Sequence, residues 1–315
     1  MKKNTSAILI CFLFVLFLTH PTLVVSGASE GLLLWFHTVL PTLFPFFVIT
    51  SLLISSNAFL ILSQIFSNVF CKIFCITPPS VIAVLGGFSC GYPMGAKIAD
   101  DLYAKRLISL NESTYLVSFC NNASPMFIIS FFVTQKLGIP KLALPSLLIL
   151  FSSSVLCSFL FRKIHLSRNP IQNCSSDLQM RPVSCDLLSA FDQAITGSME
   201  NIIKIGGYII FFSILVSFAK KYISETNLFQ LFLVPALEIT NGLTILADTS
   251  LYFWQAYVLM MFHTSFGGIC AIFQTKCVAK NLHFSFTIYA IEKLITAIVT
   301  SLLSYLYIQI IFLRY

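Results

Sequence analysis

The sequence predicts a polytopic α-helical membrane protein, and three observations carry that expectation. Only 10% of its 315 residues are charged, 57% are apolar or aromatic, and the mean hydropathy is +0.89. A soluble domain usually carries about 25% charge. Long apolar stretches recur to the C-terminus, each able to cross a hydrocarbon core of about 30 Å. They lack the period-two alternation of barrel strands. Every backbone polar group in lipid needs an internal partner, so these stretches read as helices.

The formal charge of +7 comes without any Lys/Arg-rich run interleaved with aromatics, so no nucleic-acid partner is implied. The excess reads instead as topology, because Lys and Arg collect on the cytoplasmic side. Ten cysteines are present. Most lie in or beside apolar segments without a CxxC pair, which suits small packing residues better than disulfides or a metal site. No Walker loop, HExxH or GxSxG occurs. Enzymatic chemistry and ATP-driven pumping therefore have no motif behind them, and no cofactor or metal is implied.

Lys2 and Lys3 precede an apolar run over 7–25, followed by Ser26, Gly27 and Ala28. The run is long for a signal peptide's apolar core, so 1–27 reads as a retained N-terminal helix or uncleaved signal anchor, with a cleaved signal peptide as the alternative. A first repeat is expected over 28–161: an apolar segment at 31–55, an amphipathic Phe-rich stretch at 57–76, a glycine-rich segment at 80–96, a polar hinge at 97–112, and apolar segments at 113–134 and 142–161. The stretch 162–190, with Arg162, Lys163, Arg168 and Arg181, reads as a basic cytoplasmic linker.

A second repeat over 191–315 restates the first: 194–219 apolar, 228–247 and 250–273 interrupted, 284–312 apolar. Gly91 aligns with Gly242, and Phe119-x-Asn121-Asn122 with Phe262-x-Thr264-Ser265. If the glycine-rich segments are re-entrant, the repeats are inverted, although Lys136, Lys141, Lys220 and Lys221 then lie on the outer side. Inverted repeats with discontinuous helices point to a secondary transporter.

The candidate site follows from polar groups in apolar segments. Ser109-x-x-Glu112 is a capping box that should start a helix near 110. Within that helix Ser118, Asn121, Asn122 and Pro125 fall on one face, beside Ser124. Pro125 has no N–H, which frees the Asn121 carbonyl and breaks the helix. Exposed backbone at that depth requires protein or a wet cavity around it, though Asn and Ser also serve as interhelical glue. Gly86, Gly87, Gly91 and Gly95 surround Ser89, Tyr92 and Pro93 in GGFSCGYPMGAK, which ends at Lys97. The stretch suits the tip of a re-entrant hairpin whose helix N-termini offer N–H groups to an anion, or simply close helix packing. Glu238 and Asn241 precede Gly242, and an acid in an apolar segment marks function. Lys204 is its candidate partner, with a local Glu200–Lys204 pair as the alternative. Thr264, Ser265, Gly267 and Gly268 break the following segment. His37 and His263 read as packed or surface residues, and Asp100-Asp101 as a solvated hinge.

The blocks Cys90–Lys97 (CGYPMGAK) and Ser118–Phe127 (SFCNNASPMF) resemble the YlbJ-type sporulation integral membrane proteins, of the nucleoside-recognition or Gate-domain group. The opening GLLLW, the spaced Pro41 and Pro45, and the later Phe266-Gly267-Gly268 agree with it. The likeness covers about residues 28–310. It implies a fold related to concentrative nucleoside transporters, with re-entrant hairpins meeting at the midplane. It also implies a place in the outer forespore membrane, a role in spore cortex formation, and passage of dipicolinate, a small aromatic dianion. Hairpin N-termini, Asn amides, and Lys97 or Lys204 would hold its two carboxylates. Cys90 stands where serine is commoner in the family, and Ile272 where a histidine is common, so a proton relay through that histidine has no residue here.

The sequence therefore leads to a carrier whose partners are a small anionic solute, the lipid bilayer and a coupling ion. A nucleoside is the alternative solute, and a non-transporting scaffold for cortex assembly is the alternative class.

Overall fold

A computed structural model describes residues 2–56, 58–166, 187–222 and 228–312. Its elements are helices, and no strand occurs among the described residues. Helix α1 (Lys2–Thr19) is followed by α2 (Pro21–Leu34), a π-helical turn (Trp35–Val39) and α3 (Leu40–Ser55), which together form one apolar rod over Pro21–Ser55. Helix α2 runs straight through the expected 27/28 boundary. Its Gly27 and Gly31, four residues apart, let it lie against the long α9 (Leu187–Tyr222). A methyl on Gly27 would be 2.8 Å from the Ile214 Cα, and one on Gly31 2.7 Å from the Ile210 Cα. Close approach through small residues is the usual means of helix packing in lipid.

Helix α4 (Phe59–Phe74) stops at Cys75, which is left-handed. The chain then turns through Pro78–Ser80 into α5 (Val81–Cys90), so Ser63–Phe74 and Pro78–Cys90 meet at 99°. The Phe-rich stretch is thus one arm of a bent pair. Helix α5 folds back on α6 (Met94–Ala104) as a hairpin. The expected polar hinge at 97–112 is therefore mostly helix. Asp100 is buried rather than solvated, accepting from Asn281 N at 2.8 Å, Asn281 Nδ2 at 2.8 Å and Leu282 N at 2.9 Å. A carboxylate with three donors replaces the water it left.

Helix α7 (Leu110–Cys120) starts where Ser109 predicts, with the Ser109 hydroxyl accepting from Glu112 N at 3.2 Å. The reciprocal half of the capping box is absent. The Glu112 carboxylate turns instead to Thr77 N, the Thr77 hydroxyl and the Ser80 hydroxyl, at 2.6, 2.9 and 2.6 Å. After a break the chain resumes at Pro125 and runs on as a π-helical segment (Phe127–Leu137), then α8 (Ala143–His165). The basic linker falls largely on 167–186, outside the described residues. Its Arg162 and Lys163 extend α8.

Beyond α9 come α10 (Leu228–Leu237) and α11 (Ile239–Ala247), packed as a second hairpin. Helices α12 (Phe253–Phe266) and α13 (Gly268–Val278) follow, joined across Gly267, and then α14 (Phe286–Phe312). Among the described residues, five helical stretches can cross a membrane by length and composition, or six if the bent pair counts as one span. Hairpin, broken helix and long helix thus occur in that order twice, but the expected residue alignment is out of step. Gly91 ends α5 at a hairpin tip, whereas Gly242 lies inside α11. Asn121 follows the end of α7, whereas Thr264 still lies within α12. By element, Gly91 corresponds to Glu238 and Asn121 to Gly267.

Candidate functional site

The first hairpin turns at Gly91, Tyr92 and Pro93. Gly91 has φ 86° and ψ −179°, a conformation open in practice only to glycine. The tip docks on the first helix break. Tyr92 N donates to the Asn122 carbonyl at 2.5 Å, and a methyl on Gly91 would be 2.6 Å from Ser124 N. Helix α7 ends at Cys120, so Ser118, Asn121, Asn122 and Pro125 do not share one helical face. Ser118 turns back to the Tyr115 carbonyl. The carbonyl freed by Pro125 is observed: Asn121 O accepts from Lys293 Nζ of α14 at 2.9 Å. Asn121 Nδ2 donates to the Thr275 hydroxyl at 2.8 Å and the Tyr289 hydroxyl at 2.7 Å. Asn122 Oδ1 accepts from the Ser154 hydroxyl at 2.9 Å, and Ser124 caps the resuming helix at Phe127 N.

The second hairpin turns at Glu238. Its extended backbone and carboxylate cap α11, accepting from Thr240 N at 3.0 Å, Asn241 N at 2.8 Å and Asn241 Nδ2 at 3.0 Å. An acid at a helix N-terminus also meets the positive end of the helix dipole. The second break is made by Gly267 (φ 82°) and Gly268 (φ 79°), both left-handed. Beside them the Thr264 hydroxyl bonds its own helix at Met260 O, and the Ser265 hydroxyl accepts from Thr300.

Both tips and both breaks border one cavity of about 220 Å³. Cys90, Gly91 and Tyr92 come from the first tip, Glu238, Ile239 and Thr240 from the second, Ser124 from the first break and Gly267 from the second. Both π-helical segments face it too, through Thr38, Ser130 and Gln135, and Gln274 adds an amide from α13. π-Bulges are rare and gather at functional sites. Glu238 is the single charged side chain among the described residues lining the space.

Of the residues marked from the sequence, Gly91, Tyr92, Ser124, Glu238 and Gly267 line the cavity. Asn121, Asn122, Pro125, Asn241, Thr264, Ser265 and Gly268 build its supports. Ser89 is exposed, off the lining. Lys97 is ion-paired to Asp101 one turn along α6. Lys204 is exposed and bound to Glu200, which Lys280 also reaches at 2.9 Å, so it is not the partner of Glu238. The i,i+4 neighbour was the nearer acid, and Glu238 is satisfied by its own hairpin. Lys293, Thr275 and Tyr289 went unmarked in the sequence, as did the buried Glu292, which accepts from His165 Nε2 at 2.6 Å.

The chain is similar to the sporulation integral membrane protein YlbJ of Bacillus subtilis (strain 168). The two are 25% identical over 334 aligned positions, which cover 94% of this chain and 81% of the relative. That likeness bears out the YlbJ-type resemblance read from the CGYPMGAK and NNASP blocks. No family model matches the chain, and no solved structure matches it.

Proposed function

We propose that this YlbJ-type sporulation membrane protein is a secondary carrier, binding a small polar solute where two hairpin tips meet two helix breaks. The observation behind the reading is a shared cavity bordered by all four of those elements. Discontinuous helices meeting in corresponding positions of two halves are the mark of a transporter binding site, and we take the halves as inverted repeats on the plan of concentrative nucleoside transporters. We take the outer forespore membrane as its place and cortex formation as its setting, as the resemblance read from the sequence implies; the relative's own name supports a sporulation membrane protein.

The lining bears on the solute. Lys97 and Lys204, the cations expected to hold a dianion, are committed elsewhere, and among the described residues the one charge lining the cavity is the Glu238 carboxylate. A dianion beside an acid in a low-dielectric site is strongly disfavoured unless a cation or protons enter with it. Hydroxyls, amides and an aromatic ring suit an uncharged polar heterocycle of nucleoside type better than dipicolinate.

Uptake of labelled uridine and labelled dipicolinate into proteoliposomes of the purified chain tests this. Saturable uridine uptake that Asn122→Ala abolishes is expected. Saturable uptake of dipicolinate alone would move the anion reading ahead. Failure of both solutes to move in well-inserted protein would overturn the carrier, and a cortex-assembly scaffold would replace it.

A further inference from the structure

Lys293 is a buried cation that solute binding does not use. It lies inside the apolar span Phe286–Ile310 with 2% of its surface exposed. Among the described residues no carboxylate is ion-paired to it, and the neighbouring Glu292 is bound to His165. Its ammonium instead reaches Asn121 O at 2.9 Å and Asn122 Oδ1 at 3.5 Å. The Asn122 oxygen is shared with the Ser154 hydroxyl at 2.9 Å, whereas the Asn121 carbonyl is held for the ammonium. Pro125 leaves Asn121 O without a helical donor, and the Asn121 amide is tethered to Thr275 and Tyr289. The C-terminal end of α7, where carbonyl dipoles sum to partial negative charge, faces the ammonium.

Unwound carbonyls and half-helix C-termini are the places where carriers of discontinuous design hold a coupling sodium ion. Here a side chain of the protein brings the positive charge to such a place. We propose that the Lys293 ammonium is a tethered cation occupying the ion position of the first helix break, so that the protein works without sodium there. The proposal rests on the carrier reading for its meaning, but the ion position itself is open to test without any solute.

The test compares melting of the full-length protein in detergent, in sodium chloride and in choline chloride of equal ionic strength. Wild type should melt alike in both. Lys293→Ala should melt lower in choline and recover part of the loss in sodium, which can enter beside the two vacated oxygens. Lys293→Met, which fills the space without charge, should lose stability and recover none. An equal loss for Lys293→Ala in both salts would overturn the proposal and leave Lys293 as an interhelical strut. Should Lys293→Ala fail to accumulate, wild type decides. Melting or uridine uptake that rises with sodium overturns the proposal, and indifference to sodium upholds it. Absence of uridine uptake in either salt counts against the carrier reading, and melting still decides the ion position.

Discussion

At the first junction the tip is a glycine and the break carries long-range side-chain bonds, whereas at the second the tip is an acid and the break is a glycine pair. Gly87, Gly91 and Gly95, spaced four apart, bring the first hairpin's backbone against Cys120 and Ser124, while Asn121 and Asn122 reach out to α8, α13 and α14. At the second junction Glu238 caps its own helix, and Gly268 lets the start of α13 approach α10, where a methyl would sit 3.3 Å from Leu237 O. The polar bonds of the first junction thus join residues up to 172 apart in sequence, and those of Glu238 join residues two and three apart. A change at Asn121 should be felt across the molecule, and one at Glu238 only nearby.

Gly91→Val is the harshest test of that contrast. The backbone there costs a non-glycine residue about 1–3 kcal/mol, and the added Cβ would strike Ser124 N at 2.6 Å. The tip cannot dock, so little monodisperse protein should be recovered on size-exclusion chromatography. A variant that purifies and melts like wild type would break the account of the first junction. Asn121→Ala should follow, leaving the Thr275 and Tyr289 hydroxyls without their amide, at about 2 kcal/mol. Its double variant with Tyr289→Phe should lose little beyond the single change, because the two residues share one bond. Additive losses in thermal melts would show that they act separately.

Gly267→Ala should cost less, about 1 kcal/mol for a left-handed alanine, since its Cβ would meet Ala271 and the Tyr92 ring at an ordinary 3.4 Å. Failure of Gly267→Ala to purify, as expected of Gly91→Val, would erase the difference between the junctions.

Those positions were visible in the sequence for local reasons. A glycine cluster marks a tip, a proline marks a freed carbonyl four residues before it, and paired glycines mark a break. Ser109 announced the start of α7 in the same way. What was missed depends on distant partners. Lys293 sits in a run whose mean hydropathy hides it, although Glu292-Lys293 within an apolar span was itself a signal. Asp100 looked solvated because its donors come from 281–282. The expected link between Lys204 and Glu238 failed because an acid one turn away competes for the lysine. The π-helical segments lining the cavity contain no proline or glycine to mark them.

Glu238→Gln is the mildest change and the most selective. Glutamine keeps one carbonyl oxygen, for the N–H of Thr240 or of Asn241 but not both, so stability should fall by up to about 1 kcal/mol, consistent with a junction whose bonds are local. Its effect belongs to the cavity, where it removes the single charge among the described lining residues. Uridine uptake, which needs no charge partner, should change little, while dipicolinate should gain relative to uridine because the like charge is gone. An unchanged ratio of the two rates in proteoliposomes would mean that Glu238 does not face the solute. A stability loss as large as that of Asn121→Ala would mean instead that its carboxylate holds more than its own hairpin.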